Sequence, residues 1–267
     1  MPNTELTLSE IWIYPIKSLG GIKLTSTQVM PKGLKYDRRW MLIDENNRFM
    51  TQRVLAPMAL FKLALESDKL VITFKGDSIN LPFNHTYNEI PLEVTIWDDK
   101  VMANEVSEEY SDWFSKYLGL KCKLVYFPET NARPVDPRYK VNDEHVSLAD
   151  AYPFLIIGQS SLDDLNKRLE IPVPMNRFRP NFVFIGGEPY EEDSWRNFTI
   201  GNNRYVGVKP CARCVLTTVN QDTAEKGTEP LKTLSKYRRV ANKVLFGQNV
   251  VALDFGNIAV GDKIQLN

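Results

Sequence analysis

Short runs of apolar and aromatic residues recur along this chain, each closed by Gly, Pro, Asn or Asp. They include "LSEIWIYPIKS", "RWMLIDENNRFMTQR", "DKLVITFKGDSINLPF", "LEVTIWDDKVMANEV", "CKLVYFPE", "PNFVFIGG", "RYVGVKPC" and "DKIQLN". Runs of this length, bounded by turn formers, predict strands. "DENNR" and "IWDDKVM" carry the polar residues expected of hairpin connections. The pattern therefore predicts a mainly β protein of the α+β class.

Two segments depart from it. "SEEYSDWFSKYLGL" from Ser107 and "GQSSLDDLNKRL" from Gly158 repeat their apolar residues at helical spacing behind serine-containing starts, and predict helices with serine caps. A third, "EPLKTLSKYRRVANKVL", predicts a short helix with Pro230 in its first turn. Residues 128–142, "PETNARPVDPRYKVN", read as a proline-rich polar connector over the surface, which sets a boundary between domains of residues 1–125 and 126–267. No repeat or low-complexity tract interrupts the chain.

Composition narrows the function classes. The 267 residues suffice for a sizeable core, and 33 Lys and Arg balance 33 Asp and Glu. A net charge near zero argues against bulk attraction to nucleic acid or an anionic membrane, so any anion must be held locally. No apolar run approaches the roughly 20 residues that span a bilayer, and the N-terminus lacks the basic and apolar pattern of an export signal, so a cytoplasmic setting is expected. Three cysteines there are expected to be thiols rather than a disulfide framework.

Two of those thiols, Cys211 and Cys214, form "CARC" between "NNRYVGVKP" and "VLTTV", placed by the pattern in a turn between strands. The spacing alone leaves several chemistries open. A zinc site would need further ligands, and Cys122, His85 and His145 stand in scattered contexts. A thioredoxin-like pair would sit at a helix N-terminus. A single thiolate could ligate a cofactor metal or act as a nucleophile or sulfur carrier, with Lys209 and Arg213 favouring the thiolate. Both cysteines could also be small core residues.

Other segments concentrate cations at strand ends. Lys17 and Ser18 close "YPIKS" just before Gly20 and Gly21, Arg38 lies in "YDRRW", Arg53 ends "TQR", and Arg177 and Arg179 precede the strand in "NRFRPNFVF". Arginine suits bidentate phosphate binding, and several such residues in a neutral protein suggest a pocket for a phosphorylated cofactor.

Ten segments, taken in order, carry a resemblance: "YPIKS", "DRRWMLID", "FMTQR", "YPFLI", "NRFRPNFVF", "EEDSW", "CARCVLTTVNQDT", "EPLKTLSKYR", "LFGQN" and "VGDKI". Together they resemble the MOSC family, in the branch that adds an N-terminal β-barrel domain and includes amidoxime-reducing proteins of mitochondria and their bacterial relatives. The resemblance implies a MOSC β-barrel packed against a smaller N-terminal β-rich domain, and binding of molybdenum cofactor (Mo-molybdopterin) with a cysteine on the metal. The family's C-x-R-C-x-L-T-T-V pattern assigns that ligand to Cys214 and gives Cys211 a supporting place. It implies cofactor contacts at Lys17, Ser18, Arg38, Arg53, Arg179 and Asn181, and at Asp150 and Tyr152. The family has small hydroxyl residues after that aspartate, whereas this chain has Ala151 and Tyr152, which is expected to reshape the substrate mouth.

The activity so implied is that of a molybdenum-dependent oxidoreductase reducing the N–O bond of hydroxylamines, amidoximes or N-hydroxylated bases, a detoxifying reaction. The chain shows neither a ferredoxin domain after "VGDKIQLN" nor a leading membrane segment, so a soluble core served by an external ferredoxin-, flavodoxin- or cytochrome-type reductase is expected. The proton donor stays open between a water in the site and Asp193 of "EEDSW". The alternative within the same resemblance is a protein that carries sulfur as a cysteine persulfide or handles the cofactor.

Overall fold

The computed structural model describes residues 5–267. Met1–Thr4, where the segment read for an export signal begins, lie outside the described residues. The chain is mainly β, as the apolar runs predicted; some runs alternate buried and half-buried positions, as in Lys69–Phe74, while central ones such as Trp40–Ile43 are buried throughout.

The largest sheet has nine strands. Its order runs Ile264–Leu266, Asn197–Ile200, Asn203–Arg213, Lys243–Ala252, Phe154–Gly158, Phe182–Ile185, Thr7–Ile13 and Ile22–Leu24, with Arg239–Val240 also on Lys243–Ala252. Pairings are antiparallel except between Phe154–Gly158 and Phe182–Ile185. A parallel pair needs a crossover, and helix α1's successor in the chain supplies it: the helices are α1 (Glu108–Leu118), α2 (Gln159–Asn166) and α3 (Leu231–Tyr237), and α2 lies between those two strands. Strand Thr7–Ile13 thus pairs with a strand about 170 residues later, and Asn257–Ala259 pairs with Ser26–Met30, so the two ends of the chain are laced together.

Residues in the first half build two of the other sheets by themselves. Trp40–Ile43, Lys123–Tyr126, Asp99–Glu105 and Pro91–Ile96 form a four-stranded sheet, and Lys62–Leu65, Lys69–Phe74 and Asp77–Pro82 form a meander. Their core holds Trp40, Phe61, Phe74 and Phe114, while Phe154, Phe182, Phe198 and Tyr205 fill the core of the large sheet. Each fully buried aromatic or aliphatic side chain contributes about 2–3 kcal/mol of apolar transfer. Both expected hairpin turns are present: Asp44 closes on Arg48 through its backbone N–H at 2.9 Å, and Trp97 turns at φ +55° between Pro91–Ile96 and Asp99–Glu105.

Four local expectations are corrected. Ser107 occupies the N-cap of α1, but its hydroxyl makes no capping bond, and α2 begins at Gly158 rather than at a serine. Ser161 instead donates to buried Glu192 at 2.9 Å, a partner the local sequence does not reveal. "RRVANKV" leaves α3 to form the hairpin Arg239–Val240 with Lys243–Ala252. "VLTT" is a 3-10 turn, Val215–Thr218, not a strand, because Thr217 and Thr218 donate their hydroxyls to the carbonyls of Cys214 and Val215 at 3.0 and 2.8 Å. The connector 128–142 is not confined to the surface: Arg133 and Val135 are buried. Among the described residues no helix is long and apolar enough to cross a membrane.

Glu192 gives the large sheet a pH dependence. Its fully buried carboxylate accepts the Gly158 N–H at 3.2 Å and the Ser161 hydroxyl, and burial pushes its pKa up to about 7 against those bonds. A carboxyl whose folded pKa lies above the unfolded one holds its proton longer in the folded state. Stability is therefore fullest below pH 4.5 and falls as pH rises to 7, by about 3 kcal/mol for this group. Urea unfolding at pH 5 and pH 8 should show wild type losing that amount relative to Glu192→Gln; equal changes in both proteins would refute it.

Candidate functional site

A cavity of about 300 Å³ opens where the N-terminal turn, the 147–154 segment, the start of Phe182–Ile185 and the end of Asn203–Arg213 meet. Lys17, Ser18, Arg38, Arg53, Asp150, Tyr152, Arg179, Asn181 and Cys214, the residues to which the resemblance gave cofactor contacts, all line it, with Cys211, Arg213 and Lys209. Arg177, His85, His145 and Asp193 do not. Arg177 is buried and donates to the carbonyls of Thr217 and Glu229, bracing the turn that follows Cys214. Asp193 is paired with Arg238, which removes it as a proton donor in this cavity.

The local backbone explains how these side chains reach the site. Ser18, Arg38 and Arg179 all adopt left-handed conformations, at φ +67°, +50° and +55°. L-residues rarely hold such angles unless their surroundings fix them, and such residues cluster at functional sites. Here Asp37 accepts from Tyr14 N–H at 2.8 Å and Arg38 at 2.6 Å, while Arg179 donates to Leu19 O at 2.8 Å. The Arg38 and Arg179 guanidinium carbons lie 4.3 and 4.1 Å from the centre of the Tyr14 ring. At Gly20 an added Cβ would fall 2.5 Å from Phe61 O, so the turn after Ser18 requires glycine.

The pairing of Asn203–Arg213 with Lys243–Ala252 shifts register twice: Val208 is an extra residue on the first strand between Gly207 and Lys209, and opposite Cys211 the extra residue lies on the second strand, where Gly247 turns at φ +79°. Cys211 and Arg213, two residues apart, share one face of the strand, and the strand gives way at Cys214 to the turn Val215–Thr218; Cys211, Ala212, Arg213 and Cys214 all line the cavity. The two thiols then meet different partners. Arg53 Nε donates to Cys214 Sγ at 3.2 Å, and Arg213 Nη1 to Cys211 Sγ at 3.0 Å. The expectation that Lys209 and Arg213 serve Cys214 is thus corrected, because Arg213 shares a strand face with Cys211, two residues before it, and the cation beside Cys214 comes from "TQR". Cys122 lies buried in the N-terminal core, and no three His, Cys, Asp or Glu side chains among the described residues are grouped to hold a metal ion, so a zinc site at "CARC" has no ligands to complete it.

Asp150 joins the cations. Its carboxylate accepts from Lys17 Nζ at 2.6 Å, Arg53 Nη2 at 2.7 Å and Trp97 Nε1 at 3.1 Å. Burial would raise this carboxyl, but Lys17 and Arg53 outweigh it and hold it well below the usual carboxylate range. Burial pushes Lys17 down to about 8 although Asp150 opposes it, and pushes Arg179 down to about 10. For Arg53 burial is overcome by Asp150 and Cys214, which raise it. Only one carboxylate lines a cavity that six Lys and Arg side chains also line.

Several supporting residues were not singled out. Arg133, from the supposed surface connector, donates to the carbonyls of Ser147, Ala149 and Asp150 at 2.9, 2.5 and 3.1 Å and to Asp99 at 2.7 Å. Trp97 sits beneath Arg53, 4.7 Å from its guanidinium carbon to the ring centre. Gln52 and Gln221, both buried, bond one another, and Gln52 also donates to Ser18 O at 2.7 Å. The location of Gln52 and Gln221 in "TQR" and "VNQDT" was a usable signal, since polar residues within apolar segments require partners; nothing local marked Arg133 or Trp97.

Removing the Arg133 guanidinium strands three carbonyls and frees the loop that presents Asp150. Arg133→Met should lower the unfolding free energy by about 3 kcal/mol. Crystallography or amide exchange should then show residues 147–150 mobilised before the strands around them; unchanged protection in that loop would refute the clamp.

Comparison with known sequences now bears on the fold and the cavity. A MOSC N-terminal beta barrel domain matches residues 5–121 and a MOSC domain matches residues 143–265. The chain is 34% identical to mitochondrial amidoxime-reducing component 1 of Mus musculus and 32% identical to that of Homo sapiens, in both cases over 97% of this chain and 82% of the relative. It is also 32% identical to molybdenum cofactor sulfurase of Arabidopsis thaliana over 90% of this chain, but only 32% of that protein. With a MOSC β-barrel domain followed by a MOSC domain, and relatives of this similarity over nearly its full length, the chain belongs to the MOSC family.

Proposed function

We propose that the protein is a molybdenum-cofactor-dependent reductase of N-hydroxylated compounds, served by an external electron-transfer protein. The observation that carries this is one thiol, Cys214, at the inner face of a cavity whose other charged groups are almost all cationic. The residues fit an anionic cofactor with a thiolate-bound metal. The buried Nε of Arg213 also has no hydrogen-bond partner among the described residues, a donor that a ligand in the cavity would satisfy. The two kinds of relative named above are consistent with this chemistry.

In this proposal Cys214 would hold the metal through its sulfur. Arg38 and Arg179, with Lys17 and Ser18 on the facing turn, would hold the phosphate and pterin, and Asn181 would offer an amide to the ring system. Asn181 is already fixed, since its Oδ1 accepts from Leu155 N–H and Arg38 and its Nδ2 donates to Trp12 O. When bound, the cofactor supplies two-electron redox chemistry.

The reaction breaks the N–O bond, takes two electrons from the external donor and two protons, and releases the oxygen as water. What the chain contributes is orientation and charge. Arg53 places an N–H on the ligand sulfur, and Asp150 fixes Arg53 from the other side. Lys17, whose ammonium burial lowers to about 8, would be the side chain lining the cavity that delivers protons, in place of Asp193.

The proposal is tested with protein produced where the cofactor is made, reduced by an artificial donor and supplied with benzamidoxime. Wild type should carry molybdenum and pterin near one per chain and form benzamidine; Cys214→Ser should lose activity by at least about a hundredfold, whereas Cys211→Ser keeps the metal. Bound zinc in place of molybdenum, or loaded protein that leaves amidoximes untouched while transferring sulfur, would overturn it in favour of a carrier.

A further inference from the structure

The cavity's cations are not equal. Lys17 is engaged by Asp150 and Leu148 O, Arg38 by Asp37, Arg53 by Asp150 and Cys214, Arg179 by Leu19 O, and Arg213 by Cys211 and Phe178 O. Among the described residues, Lys209 alone of them has neither an anion nor a hydrogen-bond acceptor on its charged group. Its Nζ rests 4.0 Å from the centre of the Tyr139 ring and 5.6 Å from that of Tyr152. Ring faces attract an ammonium by about 1 kcal/mol but leave its N–H donors unmet.

The backbone points the same way. Lys209 directly follows Val208, the extra residue of its strand, where the alternation of faces is reset and Lys209 comes to line the cavity. Tyr152 follows Asp150 in the 147–154 segment and Tyr139 comes from the connector, so with Lys209 the platform is built from three separate segments. The nearby carboxylate, Asp136, is committed to Arg138 at 2.6 Å. That leaves a single half-buried ammonium without an anion of its own, for which a carboxylate is a partner of matching charge and hydrogen-bonding capacity.

We propose that Lys209, held on Tyr139 and Tyr152, recognises a carboxylate carried by the substrate. The inference rests on the reduction proposed above, since it names the substrate class of that same cavity: N-hydroxylated acids rather than neutral compounds. Lys209 is five residues from Cys214, at most about 17 Å of extended strand, so a small acid can span from the ammonium toward the reacting centre. Leu155, Phe178 and Leu216, also lining the cavity, would accept its apolar body.

The test compares benzamidoxime with para-carboxybenzamidoxime on cofactor-loaded wild type, Lys209→Met, Lys209→Gln and Lys209→Arg. The ratio of kcat/KM for the acid over the neutral compound should fall about tenfold in the uncharged variants, through KM, and be largely kept in Lys209→Arg. Calorimetry with para-carbamoylbenzoate, which is not reduced, should show binding about tenfold weaker in Lys209→Met than in wild type. An unchanged ratio, or loss of molybdenum from the Lys209 variants, would overturn the proposal, the latter by assigning Lys209 to the cofactor. If wild type left benzamidoxime unreduced, the proposed function would fall while the calorimetry still decided whether Lys209 binds carboxylates.

Discussion

The carboxylate of Asp150 is the interaction on which the cavity depends. It is drawn at once by Lys17 and Arg53 from the N-terminal segments and by the Trp97 indole from a hairpin tip, and its own backbone carbonyl is held by Arg133. Without it, Lys17, Arg53 and Arg133 would stand as like charges close together, at a cost that grows as water is excluded. With it, Arg53 is aimed across the cavity to the Cys214 sulfur. A single anion thus converts repulsion into position, and leaves an excess of positive charge facing inward.

That arrangement requires residues from both halves of the sequence to be fixed to within fractions of an ångström, and the lacing of the large sheet achieves this. Thr7–Ile13 pairs with Phe182–Ile185, and Trp12 N–H donates to Asn181 O at 2.8 Å, so "YPIKS" and "FRPN" are joined through strand register. A slip of one residue would turn every side chain to the other face of the sheet. Gln52 and Gln221 add a buried bond pair between "TQR" and the turn beyond Cys214, where any mismatch would strand polar groups away from water.

Much of this was legible because it is local. Alternating apolar runs marked the strands, helical spacing marked α1 and α2, and the strand-end cations marked residues that do meet in one cavity. What escaped was non-local. Arg133 sat in a stretch whose prolines and charges look like any surface connector, and its three carbonyl partners lie more than ten residues away. The threonines of "VLTTV" favour strands by composition, yet their hydroxyls bond the backbone three residues back and wind a turn instead. Register shifts leave no mark in a hydrophobic pattern, so the pairing of each arginine with each cysteine could not be assigned from spacing.

Two cysteines three positions apart meet different partners because the strand ends between them. In an unbroken strand the side chains of Cys211 and Arg213 would share one face and Cys214 the other. Cys211 and Arg213 do share a face here, and the 3-10 turn that begins at Cys214 bends the chain where the strand ends, so that Cys214 lines the same cavity. Cys214 is left at the point where strand ends and turn begins, its sulfur met by a guanidinium fixed from the other half of the protein. Cys211 is met by Arg213, a neighbour on its own strand. A sulfur held by a long-range partner has its position set by the whole fold, as a metal ligand requires, whereas one held by a near neighbour moves with its strand.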